Sequence, residues 1–548
     1  MTSQTILNGE EALALGAWQS GVSIVTSYPG SPSSLVVDAL IKKARDFPQE
    51  LYVEWSVNEK VAFDLALGAS FGGRRALVPI KTLGLNVAMD SLMVANLTGV
   101  RAGIVIITGD DPSAWGSQNN QDSRVLSSKM ELPILEPATP SEGYKMVQDA
   151  FHISEQHQLP VLIRIVRDYS RMEELISEND ERHHFIMPPF SREKNKWKSV
   201  PVAVLSNHRE LHRKLNSIQQ TFDTSAWNAI EGNGNIGLII AGHVYTRVRF
   251  LLERLINPTH FRILKIGTLF PLPEKICFEF LKHLSVAYVL EEGEPMIERQ
   301  IYEFVRKLGL SVEIGGRLKH HIPLDAPLHE ETIFELLSQL SPQKVSLKKI
   351  SSFPALGRKP SEKELRATCG YRPIFDCLLE VLQKYSIPRP LIIGEPGCSV
   401  RLNLPPYELF DIRLGMGSSI AIAAGLSFAN PQEHTLAVLG DSAFLHTGIQ
   451  PLIDVVYHKS SCTVLILDNH AAGITGLQPS PTSGATAMGT TSKKIDLNSL
   501  VKACGVQKVF KISSTDIKNM EEVFQKCLTK KEVTVIIAEV NCEKCTIV

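Results

Sequence analysis

Short apolar runs separated by helix-length segments recur along nearly the whole chain. "VSIVTSYPG", "ELYVEWS", "RRALVPIKT", "AGIVIITGDD" and "LPVLIRIV" are short, rich in β-branched residues and bounded by turn residues, so they read as buried strands. Between them, "NEKVAFDLALGASFGG" repeats Val61, Leu65 and Ala69 at helical spacing. Strands alternating with helices predict a parallel sheet covered on both faces. A polar region, "SRMEELISENDERHHFIMPPFSREKNKWKS", breaks the pattern and reads as a linker with an excursion. The rhythm resumes with "NIGLIIAGHVYTRVRFLLERL", "FRILKIGTLFPLP" and "VAYVLEEGEPMIERQIYEFV", a second and smaller α/β unit that ends near Leu340. A charged linker with prolines follows, and the last unit has "RPLIIGEPG", "ELFDIR", "HTLAVLGDS", "CTVLILDN" and "EVTVIIAEV" as strands.

Two strand tips in the last unit carry chemistry. Ligands of open parallel sheets bind beyond the carboxyl ends of the strands, and "LAVLGDS" and "TVLILDN" both place polar residues there. Asp441 offers a carboxylate and Asn469, 28 positions later, an amide oxygen. Hard oxygen donors suit Mg²⁺ or Ca²⁺ completed by phosphate and water, not zinc. Gly440 allows close backbone approach, and the helix start after it can offer N–H donors to a diphosphate. In "SYPGSPSS", Pro29 and Pro32 stiffen a turn, and Ser31, Ser33 and Ser34 can cap the next helix or meet a carboxylate.

Composition narrows the classes. At 548 residues the chain exceeds one core, and 44% hydrophobic with 21% charged residues is a globular balance. A net charge of −1 gives no electrostatic footprint for nucleic acid or an anionic membrane, and no apolar run is long enough for a membrane span. The N-terminal stretch has acidic residues and no basic head, so a cytoplasmic protein is expected. The nine cysteines run from Cys277 to Cys545 without framework spacing, which favours reduced thiols. Cys542 and Cys545 are their one close pair, with no second pair at ligand spacing.

The Gly-Asp-Ser stretch followed by Asn469 resembles the thiamine diphosphate motif. The surrounding "GDSAFLHTGIQPLIDVVY" and "TVLILDNHAAGITGLQPSP" resemble the large subunit of indolepyruvate:ferredoxin oxidoreductases. "SYPGSPSS", "EWSVNEKVAFDLALGAS", "GLNVAMDSLM" and "GDDPSAWGSQNNQDSR" are similar to that family's N-terminal domain. "LKIGTLFPLP" and "VLEEGEPMIERQI" are similar to its middle domain, and "GEPGCSVRLNLPPYELFDIRLGMGSSI" to the entry of its cofactor domain.

The resemblance implies three doubly wound α/β domains of the thiamine diphosphate-enzyme type. They are a pyrimidine-binding domain over 1–185, a transketolase C-terminal-like domain over 200–342, a linker over 343–368, and a thiamine diphosphate and Mg²⁺ domain over 369–548. Glu59 takes the place of the family's catalytic glutamate, which hydrogen-bonds the cofactor's pyrimidine and favours its imino form. His446 follows the metal aspartate, as in the family, and could contact phosphate or carry a proton. Ser31 is the expected substrate contact. Gly440, Asp441, Ser442, Asn469, Gly415 and Met416 are expected to bind the cofactor, with Asp441, Asn469 and the carbonyl of Ala471 on the metal. Implied partners are a 2-oxo acid, coenzyme A, an external electron carrier, and a second copy of the chain, a separate small subunit, or both.

Departures from the pattern matter. Family members usually continue into a cysteine-rich extension with two ferredoxin-type clusters; this sequence ends at Val548, so no iron–sulfur cluster is expected in it. The family's Cys-Pro-Gly-Cys-Pro stretch is replaced by "RATCGYRPIFD", leaving Cys369 alone, and "KTLGLN" has Thr82 where relatives have histidine. The function implied is oxidative decarboxylation of a 2-oxo acid to acyl-CoA. Its rivals are a non-oxidative decarboxylase or carboligase and a non-catalytic scaffold or regulatory subunit.

Overall fold

The computed structural model describes residues 3–178, 182–185, 187–188, 190, 196–255, 258–324, 327–341 and 368–542. The linker expected over 343–368 lies, but for its last residue, outside them, as does Cys545. The chain forms two compact units, one of Met1–Glu54 with Glu59–Leu356, the other of Trp55–Asn58 with Gly357–Val548. Among the described residues no helix is long and apolar enough to cross a membrane.

The first unit holds two main sheets. One has seven strands in the order Thr268–Phe270, Ile134–Leu135, Val161–Val166, Ile104–Asp110, Ala76–Lys81, Ile24–Ser27, Tyr52–Trp55. Its central pairs are parallel, as the alternation of strands and helices requires. The edge strand Thr268–Phe270 pairs antiparallel with Ile134–Leu135, so a segment from the second stretch of sequence completes the first sheet. The other sheet has five strands in the order Glu313–Gly315, Val286–Leu290, Ile236–Ala241, Phe261–Ile266, Ala229–Glu231. One apolar core joins them, with Val78, Ile106 and Leu162 from the first sheet and Ile239, Leu264 and Val289 from the second. The polar excursion after residue 170 is not wholly irregular: Glu173–Glu178 is a strand paired antiparallel with Ser3–Asn8.

The helix predicted around Val61, Leu65 and Ala69 forms, over Glu59–Phe71, but that stripe is not its buried face. Val61 and Leu65 are each 39% exposed, while Ala62, Phe63, Ala66 and Ser70 are buried. The helix is apolar on both sides, and its small residues let it lie close on the sheet. The neighbouring helix Thr82–Thr98 likewise leaves Met93 and Val94 exposed.

At the carboxyl ends of these strands lies a buried network of charges. Arg164, wholly buried on Val161–Val166, donates to Asp110 at 2.9 Å and to Glu136 at 2.7 Å. Arg124, equally buried, holds Asp122 at 2.6 Å and Glu291, at the tip of a strand of the second sheet, at 3.0 Å. Two guanidiniums therefore serve four buried carboxyl groups. Burial alone would raise Asp122, but Arg124 and Arg164 outweigh it and hold it at about 2. At Glu291 burial wins over the help of Arg124 and two backbone N–H groups, and its pKa rises to about 7.

The second unit is one six-stranded, wholly parallel sheet in the order Ile412–Arg413, Leu391–Gly394, Thr435–Gly440, Thr463–Asp468, Thr534–Glu539, Lys508–Ser513. Alternate residues feed two cores: Leu436, Val438, Leu465 and Leu467 on one face, Ala437, Leu439, Val464 and Ile466 on the other. This is the apolar pattern of a sheet buried on both sides.

Removing one partner of a buried ion pair leaves an uncompensated charge, at a cost of about 3–5 kcal/mol. Arg124→Ala should destabilise the first unit by that much, read as a lower midpoint in urea unfolding. A loss below about 1 kcal/mol, the range of exposed pairs, would show the network to be dispensable.

Candidate active site

In the second unit, neighbouring parallel strands pair Gly440 with Leu467, so the loops that follow them start side by side. Asp441 is 1% exposed and Asn469 6%. One terminal atom of the Asn469 amide lies 3.0 Å from Asp441 Oδ1 and 3.1 Å from the carbonyl oxygen of Ala471. Were that atom nitrogen, it would donate to both. Were it oxygen, three oxygen acceptors would meet at one point, an arrangement that a cation relieves. Which of the two stands there is assigned from surroundings, and three convergent oxygens from a carboxylate, an amide and a carbonyl fit Mg²⁺. The Thr482 hydroxyl donates to the other Asp441 oxygen. Burial still pushes the Asp441 carboxyl up to about 7, and the adjacent Asp468 adds to the rise.

A Cβ placed on Gly440 would meet no protein atom within 4 Å, so the strand tip faces open space. Ser442 follows in the short helix Asp441–Ala443, which runs on into a π turn at Phe444–Gly448. His446 lies in that turn, 4% exposed, its Nδ1 3.1 Å from the Thr447 hydroxyl. Thr447 in turn donates to the Met416 carbonyl at 3.0 Å, which ties the loop of Gly415 and Met416 to the histidine turn. The next residue must be glycine: Gly417 has φ +72, and a Cβ there would lie 2.1 Å from Thr447 Oγ1.

One acid in this unit escaped the sequence reading. Glu395 directly follows the strand Leu391–Gly394 and is wholly buried. It accepts from the backbone N–H of Gly417 at 2.7 Å and of Ser419 at 2.9 Å, at the start of the helix Ser418–Ala429. Burial raises its pKa against those hydrogen bonds and the nearby His446. The signal was available, since "LIIGEPG" ends an apolar run in an acid as "LAVLGDS" does.

Glu59 and Ser31 belong to the first unit, beyond the tips of the adjacent strands Tyr52–Trp55 and Ile24–Ser27. Glu59 is 7% exposed at the start of its helix. The helix Thr82–Thr98 passes so close that a Cβ on Gly84 would lie 2.4 Å from Glu59 Cγ, so Gly84 is what makes room for the acid. Thr82, which opens that helix, is 1% exposed, and its hydroxyl has no hydrogen-bond partner among the described residues. Ser31 is exposed. Ser33 and Ser34 do not cap the helix Ser34–Asp46 as expected: Ser33 donates to the Gly30 carbonyl and Ser34 accepts from the Gly30 N–H, at 3.0 and 2.8 Å. Glu10 supplies the acceptor instead, taking the Leu35 N–H at 3.0 Å, because a buried carboxyl from the first helix reaches the spot.

The cysteines are less scattered in space than in sequence. Cys277, Cys377, Cys462 and Cys527 are buried, Cys377 and Cys527 in one apolar core, and Cys369, Cys398 and Cys542 all lie near Tyr371, whose hydroxyl burial drives well above its usual pKa. Among the described residues no three thiols have their sulfurs within 4.8 Å of one another.

Known proteins resemble the chain in both units. Residues 15–219 match the family "Pyruvate flavodoxin/ferredoxin oxidoreductase, thiamine diP-bdg". Residues 397–538 match "Thiamine pyrophosphate enzyme, C-terminal TPP binding domain". The chain is 32% identical over 541 residues to indolepyruvate oxidoreductase subunit IorA of Methanothermobacter marburgensis, covering 98% of this chain and 86% of that protein. It is 32% identical over 569 residues to the subunit of the same name from Pyrococcus abyssi, with the same coverage. Among solved structures, 2-oxoglutarate:ferredoxin oxidoreductase from Magnetococcus marinus aligns at 17% identity and a TM-score of 0.49, over 62% of this chain and 65% of that one.

Proposed function

The chain belongs to the family of indolepyruvate oxidoreductase subunit IorA, and on that premise we propose that it catalyses thiamine diphosphate-dependent oxidative decarboxylation of an indolepyruvate- or aryl-pyruvate-like 2-oxo acid. The acyl group goes to coenzyme A and the electrons to an external carrier. What carries this reading is the donor set of Asp441, Asn469 and the Ala471 carbonyl, within the stretch that matches the thiamine pyrophosphate-binding domain.

When bound, thiamine diphosphate supplies a nucleophilic carbon and an electron sink for the carboxylate-bearing substrate. The residues divide the remaining work. Asp441, Asn469 and Ala471 would hold Mg²⁺, and Gly440, Ser442, Gly415 and Met416 would border the diphosphate. Glu59 would hold a proton on the pyrimidine, and Gly84 keeps its side chain in place. His446 would contact phosphate or move a proton, and Ser31 would receive the substrate carboxylate.

The three main α/β sheets, two of them sharing a core, support a division into pyrimidine-binding, transketolase C-terminal-like and diphosphate-binding domains. Assembly with a second copy, a small subunit, or both is part of the reading. Exposed Val61, Leu65, Met93 and Val94, on two adjacent helices, support it, as does the relatives' designation as a subunit. We place the protein in the cytoplasm.

Asp441→Ala should lose Mg²⁺-dependent thiamine diphosphate binding and keep its fold, because the strand tip lies outside both apolar cores. Calorimetry that finds the cofactor bound as tightly as by the parent would remove the assignment. Glu59→Gln should bind the cofactor yet lose activity by about 10²–10⁴-fold, the range for one acid–base group; undiminished exchange of the cofactor's C2 proton would put the role elsewhere. The reaction itself is tested with a 2-oxo acid panel, following CO₂, aldehyde and acyl-CoA with and without the small subunit and a viologen dye. Acyl-CoA should appear only with both added, and rapid aldehyde or acyloin from the chain alone would establish the decarboxylase or carboligase instead.

A further inference from the structure

We infer that Glu131, His208 and His212 form a site for a divalent transition metal of the zinc class, built from residues that have no part in the proposed reaction. His208 and His212 are one turn apart on the helix Pro201–Phe222, so their rings leave the same flank. The ring centroids are 4.3 Å apart. His208 Nε2 lies 2.8 Å from one carboxylate oxygen of Glu131, and His212 Nε2 lies 2.8 Å from the other. All the ligand atoms lie within 4.8 Å of one another.

The frame around them is fixed. Leu211, Leu215, Ile218 and Phe222 of the same helix are buried, which sets the rotation of the histidine flank. Glu131 sits in the turn between the helix Ser123–Lys129 and the strand Ile134–Leu135, at φ +58. That conformation ordinarily falls to glycine or asparagine. The turn is held by the Asn96 amide, which donates to the carbonyls of Met130 at 2.8 Å and Glu131 at 3.0 Å. A glutamate in that strained position, pinned by its backbone, delivers its carboxylate to two imidazoles.

Two imidazoles and a carboxylate are a three-ligand set for zinc, with the fourth tetrahedral position left for water. The side chains are 44%, 56% and 29% exposed, so water can fill that position and the rings can turn toward the metal. Tetrahedral zinc sets its ligand atoms about 3.4 Å apart, which a small rotation from the observed spacing reaches. The bound metal staples the helix Pro201–Phe222 to the turn that leads into the first sheet.

The test uses the full chain, stripped with a chelator and titrated with Zn²⁺ against a chromophoric competitor. Loss of supporting hydrogen bonds around a metal alone costs about 10–100-fold, so His212→Ala, His208→Ala and Glu131→Gln should each weaken one zinc equivalent by more than about 100-fold. Asp441→Ala should leave that equivalent unchanged. Co²⁺ in the parent should give the visible bands of a tetrahedral site, absent from the double variant H208A/H212A. Circular dichroism of the metal-free variants should match the parent, since all three side chains are partly exposed. No zinc bound at tens of micromolar, or equal zinc affinity in parent and H208A/H212A, would overturn the site.

Discussion

Acids buried at the carboxyl ends of parallel strands are the constraint on which both units depend. A carboxylate removed from water costs several kcal/mol unless charge or hydrogen bonds replace its solvent. The first unit meets that cost with arginine. Asp110, Asp122, Glu136 and Glu291 surround Arg124 and Arg164, and the two guanidiniums link the tips of two sheets that already share an apolar core. The motif "GDDPSAWGSQNNQDSR" therefore contributes architecture through Asp110, Asp122 and Arg124.

The second unit solves the same problem differently at each tip. Glu395 is satisfied by backbone N–H groups at a helix start, and Gly417 permits their approach. At Asp441, what offsets burial is a threonine hydroxyl and backbone N–H groups, while Asp468 opposes them. The carboxyl stays far above its ordinary range, beside the Asn469 amide and near the Ala471 carbonyl. One architecture thus yields a buried ion network in one unit and a buried acid without a cationic partner described beside it in the other. The difference follows from which residue stands on the neighbouring strand: Arg164 beside Asp110, Asp468 beside Asp441.

Strands and their order of appearance were legible because each apolar run is short and bounded by turn residues. The proximity of Asp441 and Asn469 was legible because parallel register turns sequence spacing into adjacency. Other features were hidden for physical reasons. Val61 and Leu65 have the right period, but the helix is apolar on both sides, and only packing selects Ala62 and Ala66 for the interior. Ser33 and Ser34 have capping chemistry, yet Glu10 arrives from another helix to take the Leu35 N–H, a long-range competitor that local propensity cannot reveal. Thr482 reaches Asp441 from a loop far downstream, without a spacing signal. His208 and His212 escaped the sequence reading, because their partner Glu131 comes from a distant turn.

Thr82 shows how a departure from the family pattern bears on chemistry. It opens the helix whose Gly84 makes room for Glu59, so its side chain belongs to the same packed corner of the first unit. A buried hydroxyl without a partner costs about 1–3 kcal/mol, and valine, nearly the same shape, would avoid that cost. Keeping threonine preserves a neutral donor and acceptor where the family's histidine would add a titratable ring.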